Sequence, residues 1–328
     1  MKLLNLSFAA MLVVEGAAAA VQTTSPALAQ SYPPRPIRWV VPLGPGGAAD
    51  TLVRIIGQKL SEQWGKPVVI DNRPGANGII GTNIVAKSTP DGLTWLTIFL
   101  GGHATNASFR KHLPYDTVKD FAAVAALAKL PFVLVVNANL PVRNFREFVA
   151  LAKKRPGQLA YGGPSGSVNH LFGVMLGSTA GIDLMFVPYR GAASALIDTL
   201  AGRIQFSFAS SVSTTPFVRS GKLRALAVGG AKRSDALQDV PTGAESGFPD
   251  FDVPVWFGIV VPAGTPAAVV RKINADVNRL LTQTEVIERF STVGAEPLVA
   301  APEQFEKIVR DDIVKWAKVI KDSGASGD

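Results

Sequence analysis

"VVPLGPGGAAD", Val40 to Asp50, follows a β-branched run and precedes a helical pattern. A strand entering a helix through a glycine-rich turn is the repeating unit of an α/β fold, and the bare backbone N–H groups of such a turn face a ligand. Two kinds of ligand suit this turn. Gly44-Pro45-Gly46-Gly47-Ala48-Ala49 matches the loose G-x-G-x-x-A form of a dinucleotide fingerprint, and Asp71 ends the next apolar run roughly where a ribose-binding acid would stand. The alternative is a smaller anion, such as a carboxylate. Asp50 favours the second. As an N-cap ahead of Thr51-Leu52-Val53 it would occupy the helix N–H groups itself and repel a diphosphate, and Pro45 removes a further donor. No nucleotide or other cofactor is expected.

Outward from this turn, apolar runs keep alternating with segments of helical period. Ile37 to Val41, Val68 to Asp71 and Thr94 to Phe99 read as strands, separated by helices at about Thr51 to Trp64 and Ile79 to Ser88. A second set of strands follows at Phe132 to Val136, Leu159 to Tyr161, Met185 to Val187, Gln205 to Phe208 and Leu223 to Val228. Its helices fall near Phe145 to Lys154, Val168 to Thr179, Ala192 to Leu200 and Thr214 to Ser220. Trp256 to Val261 is the last strand, ahead of two amphipathic helices with stripes Val269, Ile273, Val277, Leu281 and Phe305, Val309, Ile313, Trp316, Ile320. Two α/β sets imply two lobes. If the chain leaves the first around Leu130 to Val133 and returns around Pro254 to Phe257, the double crossing makes a hinge with a cleft between. This assigns 30–131 plus 255–328 to lobe 1, with C-terminal helices free to pack across both lobes, and 132–254 to lobe 2.

The first residues read differently. Lys2, an apolar stretch from Leu3 to Val14 and Ala27-Leu28-Ala29 before Gln30 make residues 1–29 a secretory signal peptide, although Glu15 interrupts the apolar segment. An exported, periplasmic chain is expected. Its 328 residues, 47% apolar and 18% charged, suffice for a large core, so the absence of cysteine is compatible with an oxidising compartment. It also excludes thiol catalysis and Cys-ligated zinc. The longest apolar stretch, Phe121 to Val136, is broken by Lys129 and Pro131 and does not read as a membrane span. The net charge of +8 comes from scattered bases, such as Arg143, Arg146, Lys153, Lys154 and Arg155, without interleaved aromatic residues. That reads as a solvated surface and not as a nucleic-acid site.

Three further loops repeat the strand–glycine–helix pattern. "YGGPSGSVNH", Tyr161 to His170, offers Ser165, Gly166, Ser167 and Asn169 at a helix start. "VPYRGAASAL" supplies Gly191 and Ala192, and "FASSVSTTP" supplies Ser210 with Ser211 and Ser213. Gly163-Pro164-Ser165-Gly166-Ser167 nearly matches the nucleophile elbow G-x-S-x-G, so an exported serine hydrolase using Ser165, with His170 as its base, is the enzymatic alternative. The final serine and the placement of His170 on an adjoining helix speak against it. His103, in "GGHATN", is expected to line the cleft. The three histidines, His103, His112 and His170, are too far apart for a metal-ligand motif.

Taken together, "YPPRPI", "VPLGPGGAAD", "DNRPGANG", "PDGLT", "LPYDTVKDF", "PGQLAYGGPSGS", "VPYRG", "GKLRALAV", "VPTGAESG" and "VPAGTP" resemble the extracytoplasmic solute receptors of the tripartite tricarboxylate transporter family, the Bug receptors, from Tyr32 to about Gly324. The resemblance implies a two-lobed periplasmic binding protein fold of the type II kind that closes over a small organic carboxylate, di- or tricarboxylate or aromatic acid. It also implies a monomer that hands the ligand to membrane transport subunits, and no catalysis. A receptor presenting its closed form to a signalling partner is the other reading within this class. The family holds the carboxylate by backbone N–H groups and hydroxyls. Carried over, the first-lobe contacts are Leu43, Gly46 and Gly47, and the second-lobe contacts are Ser165, Gly166, Ser167 and Asn169, with Gly191, Ala192 and Ser210 nearby. Asp50 corresponds to the acid closing the family's first loop and reads as a structural cap. Leu43-Gly44 stands where the family commonly has Phe-Ala, and Leu93 where it has Tyr, which implies the loss of an aromatic ring beside the ligand and a larger pocket.

Overall fold

The computed structural model describes residues 32–251 and 255–325. The expected signal peptide, its expected cleavage site at Ala29/Gln30 and Pro254 of the expected return crossing lie outside the described residues. The first part of the chain runs β1 (Ile37–Val41), α1 (Ala48–Trp64), β2 (Val68–Asn72), α2 (Ile79–Ala86) and β3 (Thr94–Phe99). A π turn, Leu100–Ala104, and a single helical turn, α3 (Asn106–Phe109), then lead to β4 (Phe121–Leu130). The second part comprises β5 (Phe132–Asn137), α4 (Phe145–Lys154), β6 (Ala160–Gly163), α5 (Val168–Ala180), β7 (Met185–Pro188), α6 (Ala192–Leu200), β8 (Phe206–Ser210), α7 (Ser211–Arg219) and β9 (Leu223–Val228). The chain finishes with β10 (Val255–Pro262), α8 (Ala267–Leu281), α9 (Thr284–Ser291), β11 (Glu296–Pro297) and α10 (Pro302–Ser323).

These strands form two sheets. The first has the order β11-β4-β10-β3-β1-β2 and the second β7-β6-β8-β5-β9. In the first, β1 lies parallel to both β2 and β3, so the turns after all three leave the same edge. In the second, β6 is parallel to β7 and β8, while β5 runs antiparallel to β8, pairing Phe132 with Ser210. The apolar stretch Phe121 to Val136 is therefore two strands in two different sheets, and Pro131 stands at the crossing between them. Having no N–H to donate, proline suits a point where a ladder must end. β10 makes the return and pairs antiparallel with β3 and β4, with irregularities at Phe257/Gly258 and Ile259/Val260. The architecture is α/β and two-lobed, as expected.

The last helix ties the two lobes together. Phe305 of α10 packs edge-on to Trp256 of β10, and Asp312 accepts the Trp256 Nε1–H at 2.6 Å. One turn later Trp316, fully buried, meets Phe172 of α5 in the second lobe with ring centroids 5.7 Å apart. The apolar stripe read from the sequence is thus divided between two lobes, and one buried cluster runs through both. Among the described residues no helix is long and apolar enough to cross a membrane.

Candidate functional site

Three adjacent parallel strands, β7, β6 and β8, end side by side, with Gly163 in register with Pro188. Each turns directly into a helix. The N-caps are Ser167 for α5, Gly191 for α6 and Ser210 for α7, all with extended backbones. The first-turn N–H groups of a helix have no partner within it, and the helix dipole adds positive character. Three such ends on one sheet edge form a patch of anion-seeking polarity built without a buried cation.

The turn Gly163 to Asn169 is held rigidly from behind. Ser167 Oγ donates to Pro164 O at 2.6 Å, and Asn169 Nδ2 donates to Phe208 O of β8 at 2.5 Å. Asn169 can sit there because Gly163 has no side chain, since a Cβ on it would lie 2.7 Å from Asn169 Cβ. The side chains of Ser167 and Asn169, 8% and 6% exposed, are thus committed to the scaffold, whereas Ser165 stands exposed at the apex. Gly166 is committed through its backbone. Its N–H donates to His170 Nδ1 at 3.2 Å, and its φ of +75° is accessible to glycine without strain. His170 stacks on Phe186 at 3.8 Å, and burial pushes its pKa down to about 4. The imidazole is a neutral acceptor that closes the turn, which leaves it unsuited as a base for Ser165.

In the first lobe, the turn after β1 is shaped by Asp50. The helix α1 begins at Ala48 with Gly47 as its N-cap, so Asp50 lies inside the first turn instead of at the cap position expected from sequence. Its carboxylate, 4% exposed, reaches back to accept the Gly46 N–H at 2.9 Å, Asn72 Nδ2 at 2.9 Å and Arg54 Nε at 2.9 Å. Burial alone would raise its pKa, but these bonds hold it below the usual carboxylate range. Asn72 Nδ2 also reaches Leu43 O at 3.2 Å, so both ends of the loop are fixed. Leu43 is partly buried against the core and Gly46 and Gly47 are exposed. Asp71, considered above for a ribose, is instead paired with Arg38 at 2.7 Å and Arg73 at 2.8 Å.

Two further expectations need correction. His103 does not line the cleft. The π turn after β3 rotates it into the first lobe, where it is 3% exposed, contacts Thr117 O through Nε2 at 2.8 Å and packs edge-on to Phe121. Burial pushes its pKa down to about 4. Leu93 is not beside the glycine-rich turn after β1 either, because it precedes β3 at the opposite end of the parallel strands and is buried there. Sequence reasoning also missed the residues that join the lobes. Asn77 and Thr105 of the first lobe both reach Gly166 O, at 3.3 and 3.1 Å, and Phe109 and His170 meet edge to face at 5.9 Å. Asn77 was hidden in a stretch, "PGANG", that reads as an ordinary turn. Among the described residues no group of histidine, aspartate or glutamate side chains could hold a metal ion.

Residues 52–325 match the model of the tripartite tricarboxylate transporter family receptor. The chain belongs to this family. BugT of Bordetella pertussis is 35% identical over 92% of the chain and 93% of its own length. A protein of R. palustris solved with adipate superposes with a TM-score of 0.81 at 35% identity, covering 89% of this chain and 98% of that one. MatC of Rhodopseudomonas palustris, solved with bound malate, gives 0.78 at 32% identity, covering 88% and 100%. Membership in the receptor family fits a cleft whose polar groups are turn backbones and hydroxyls.

Proposed function

We propose that this chain is a periplasmic receptor that captures a small organic carboxylate in the cleft and presents it to the membrane subunits of a tripartite tricarboxylate-type transporter. Residues 30–131 with 255–328 act as one lobe and 132–254 as the other. The observation carrying this reading is the convergence of the α5, α6 and α7 N-termini on one sheet edge, where the turn before α5 meets Asn77 and Thr105 of the other lobe. The two relatives solved with adipate and malate support the ligand class. The carboxylate is received by donors at exposed Ser165 and Ala192 and at half-buried Gly191 and Ser210, with Gly47 approaching from the first lobe. Ser167, Asn169, Gly166 and Asp50 shape the site from behind, as do the backbones of Leu43 and Gly46.

The physical rationale is additive. One helix end contributes about 0.3–1 kcal/mol to an exposed anion and up to about 2 when sheltered. Micromolar affinity needs about 8 kcal/mol, within reach of several charge-assisted hydrogen bonds once closure excludes water. The test is mass spectrometry of ligand retained by the purified mature chain, followed by a melting screen of mono-, di- and aromatic carboxylates. Ligand at 100 times its Kd adds about 2.7 kcal/mol of stability and shifts the melting point visibly. Ester turnover abolished by Ser165→Ala in a folded protein would instead establish the hydrolase.

A further inference from the structure

The turn that carries Ser165 touches both its ligand side and the opposite lobe. The Gly166 carbonyl points across the lobe boundary, where it accepts from Thr105 Oγ at 3.1 Å and from Asn77 Nδ2 at 3.3 Å. Both donors have second acceptors inside their own lobe. Thr105 Oγ also reaches Gly101 O at 2.6 Å, and Asn77 Nδ2 reaches Gly101 O at 2.5 Å and Asn106 Oδ1 at 3.1 Å. A proton count gives this arrangement its meaning. The hydroxyl has one proton and the amide two, so three protons are shared among Gly101 O, Asn106 Oδ1 and Gly166 O. If Gly166 moves away, every donor proton keeps an acceptor in the first lobe. Separation therefore strands no buried donor, and that stranding is what usually makes a buried polar contact costly to break.

The backbone around Asn77 is also exceptional. Ala76 and Asn77 have φ of +47° and +51°, a left-handed pair followed by Gly78 at +91°. Non-glycine residues adopt this region at a cost and persist there when surrounding structure imposes it, often at sites that switch. Here the strained turn delivers one side chain to the opposite lobe.

We infer that Asn77 and Thr105 are positioning residues that form a reversible latch on the Gly166 carbonyl, holding the two lobes closed by gripping the same turn that seats the anion. The inference rests on the carboxylate-receptor reading for its purpose, but the latch itself is testable without ligand. The chain contains no cysteine, so Lys87→Cys and Lys154→Cys, both exposed and in different lobes, give a clean labelling pair for a distance measurement by pulsed electron paramagnetic resonance. In the ligand-free mature protein, Thr105→Val and Asn77→Gly should each shift the interlobe distance distribution to longer values. The double variant should shift it further and Thr105→Ser should restore it. With adipate or malate as probe, the dissociation rate should rise about tenfold with the association rate unchanged. Distributions that superimpose on the parent in folded Asn77→Gly and in Thr105→Val would overturn the latch, as would a longer distance that Thr105→Ser fails to restore. If Thr105→Val does not fold, Asn77→Gly, whose residue is only partly buried and whose backbone glycine tolerates, decides alone. Failure of every carboxylate to bind, with the distance shifts present, would count against the receptor reading and leave the latch standing.

Discussion

Replacing Gly166 by alanine perturbs the junction of the two lobes by a single methyl group. Two costs can be worked out. Gly166 has φ of +75°, where an L-residue loses roughly 1–2 kcal/mol. The new Cβ would also lie 2.6 Å from Cδ1 and Cε1 of Phe109, against an ordinary carbon contact of about 3.5–4.0 Å. The ring must retreat by about 1 Å, and overpacking of this kind costs about 1–3 kcal/mol. The sum is about 2–5 kcal/mol. Because Phe109 belongs to the first lobe and Gly166 to the second, the strain can be relieved either by unfolding or by parting the lobes. Urea unfolding followed in parallel with calorimetric titration separates the two. A lower unfolding midpoint shows the first, and an affinity loss of about 30-fold for each 2 kcal/mol shows the second. Trimming the ring with Phe109→Leu in the Gly166→Ala background should recover part of the overlap cost but not the backbone cost. If Gly166→Ala leaves both stability and affinity within about 0.5 kcal/mol of the parent, the lobes do not meet at this residue and the reasoning fails.

Other substitutions probe the supports of the site. Asp50→Ala removes the acceptor of Gly46 N, Asn72 and Arg54, and should lower stability by about 1–3 kcal/mol and weaken ligand capture by loosening the first-lobe loop. Equilibrium unfolding and titration read both effects, and an unchanged midpoint would refute the role. Trp316→Ala removes the ring that α10 lays against Phe172 and should cost about 3–5 kcal/mol, measured by urea denaturation. Acid should destabilise the protein through His103, which is neutral in the fold with a pKa of about 4 instead of 6.5. The unfolded chain binds a proton that the folded chain refuses between these values. Stability from this residue is therefore complete above pH 6.5 and is lost as pH falls toward 4, by up to about 3 kcal/mol at ~1.4 kcal/mol per pKa unit. Denaturation midpoints that stay constant from pH 7 to pH 5 would contradict it.

Much of the fold was legible because strand–turn–helix alternation is a local signal. The glycine or serine at the starts of α1, α5, α6 and α7 marks the carboxyl ends of the parallel strands that precede them. The starts at Ile79, Phe145, Val168 and Ala192 were read correctly, but two others were read late. α1 begins at Ala48 and α7 at Ser211, three residues before the expected Thr51 and Thr214, because Gly47 caps with backbone alone and Ser211 itself is a weak helix former. The crossing between Leu130 and Val133 was legible, but Phe121 to Leu130 was not read as a strand, since an unbroken apolar run carries no period that separates a buried strand from a buried helix. His103 and Leu93 were misplaced for a related reason. Only the π turn decides which way His103 faces, and only the register of β3 shows that Leu93 lies at the opposite end of the strands from the glycine-rich turn. The joining of Asn77 and Thr105 to Gly166, 89 and 61 residues away, is a tertiary fact with no local trace.

The decisive comparison is a calorimetric titration of the mature chain with an organic acid that it retains and with the matching carboxamide. If neutral donors at three helix ends hold an anion, the acid binds with micromolar or tighter Kd and the uncharged amide at least a hundredfold more weakly, with Ser165→Ala and Ser210→Ala each weakening the acid alone. Equal affinity for acid and amide, or acid binding untouched by both substitutions, would show that the anion does not sit at this edge of the sheet.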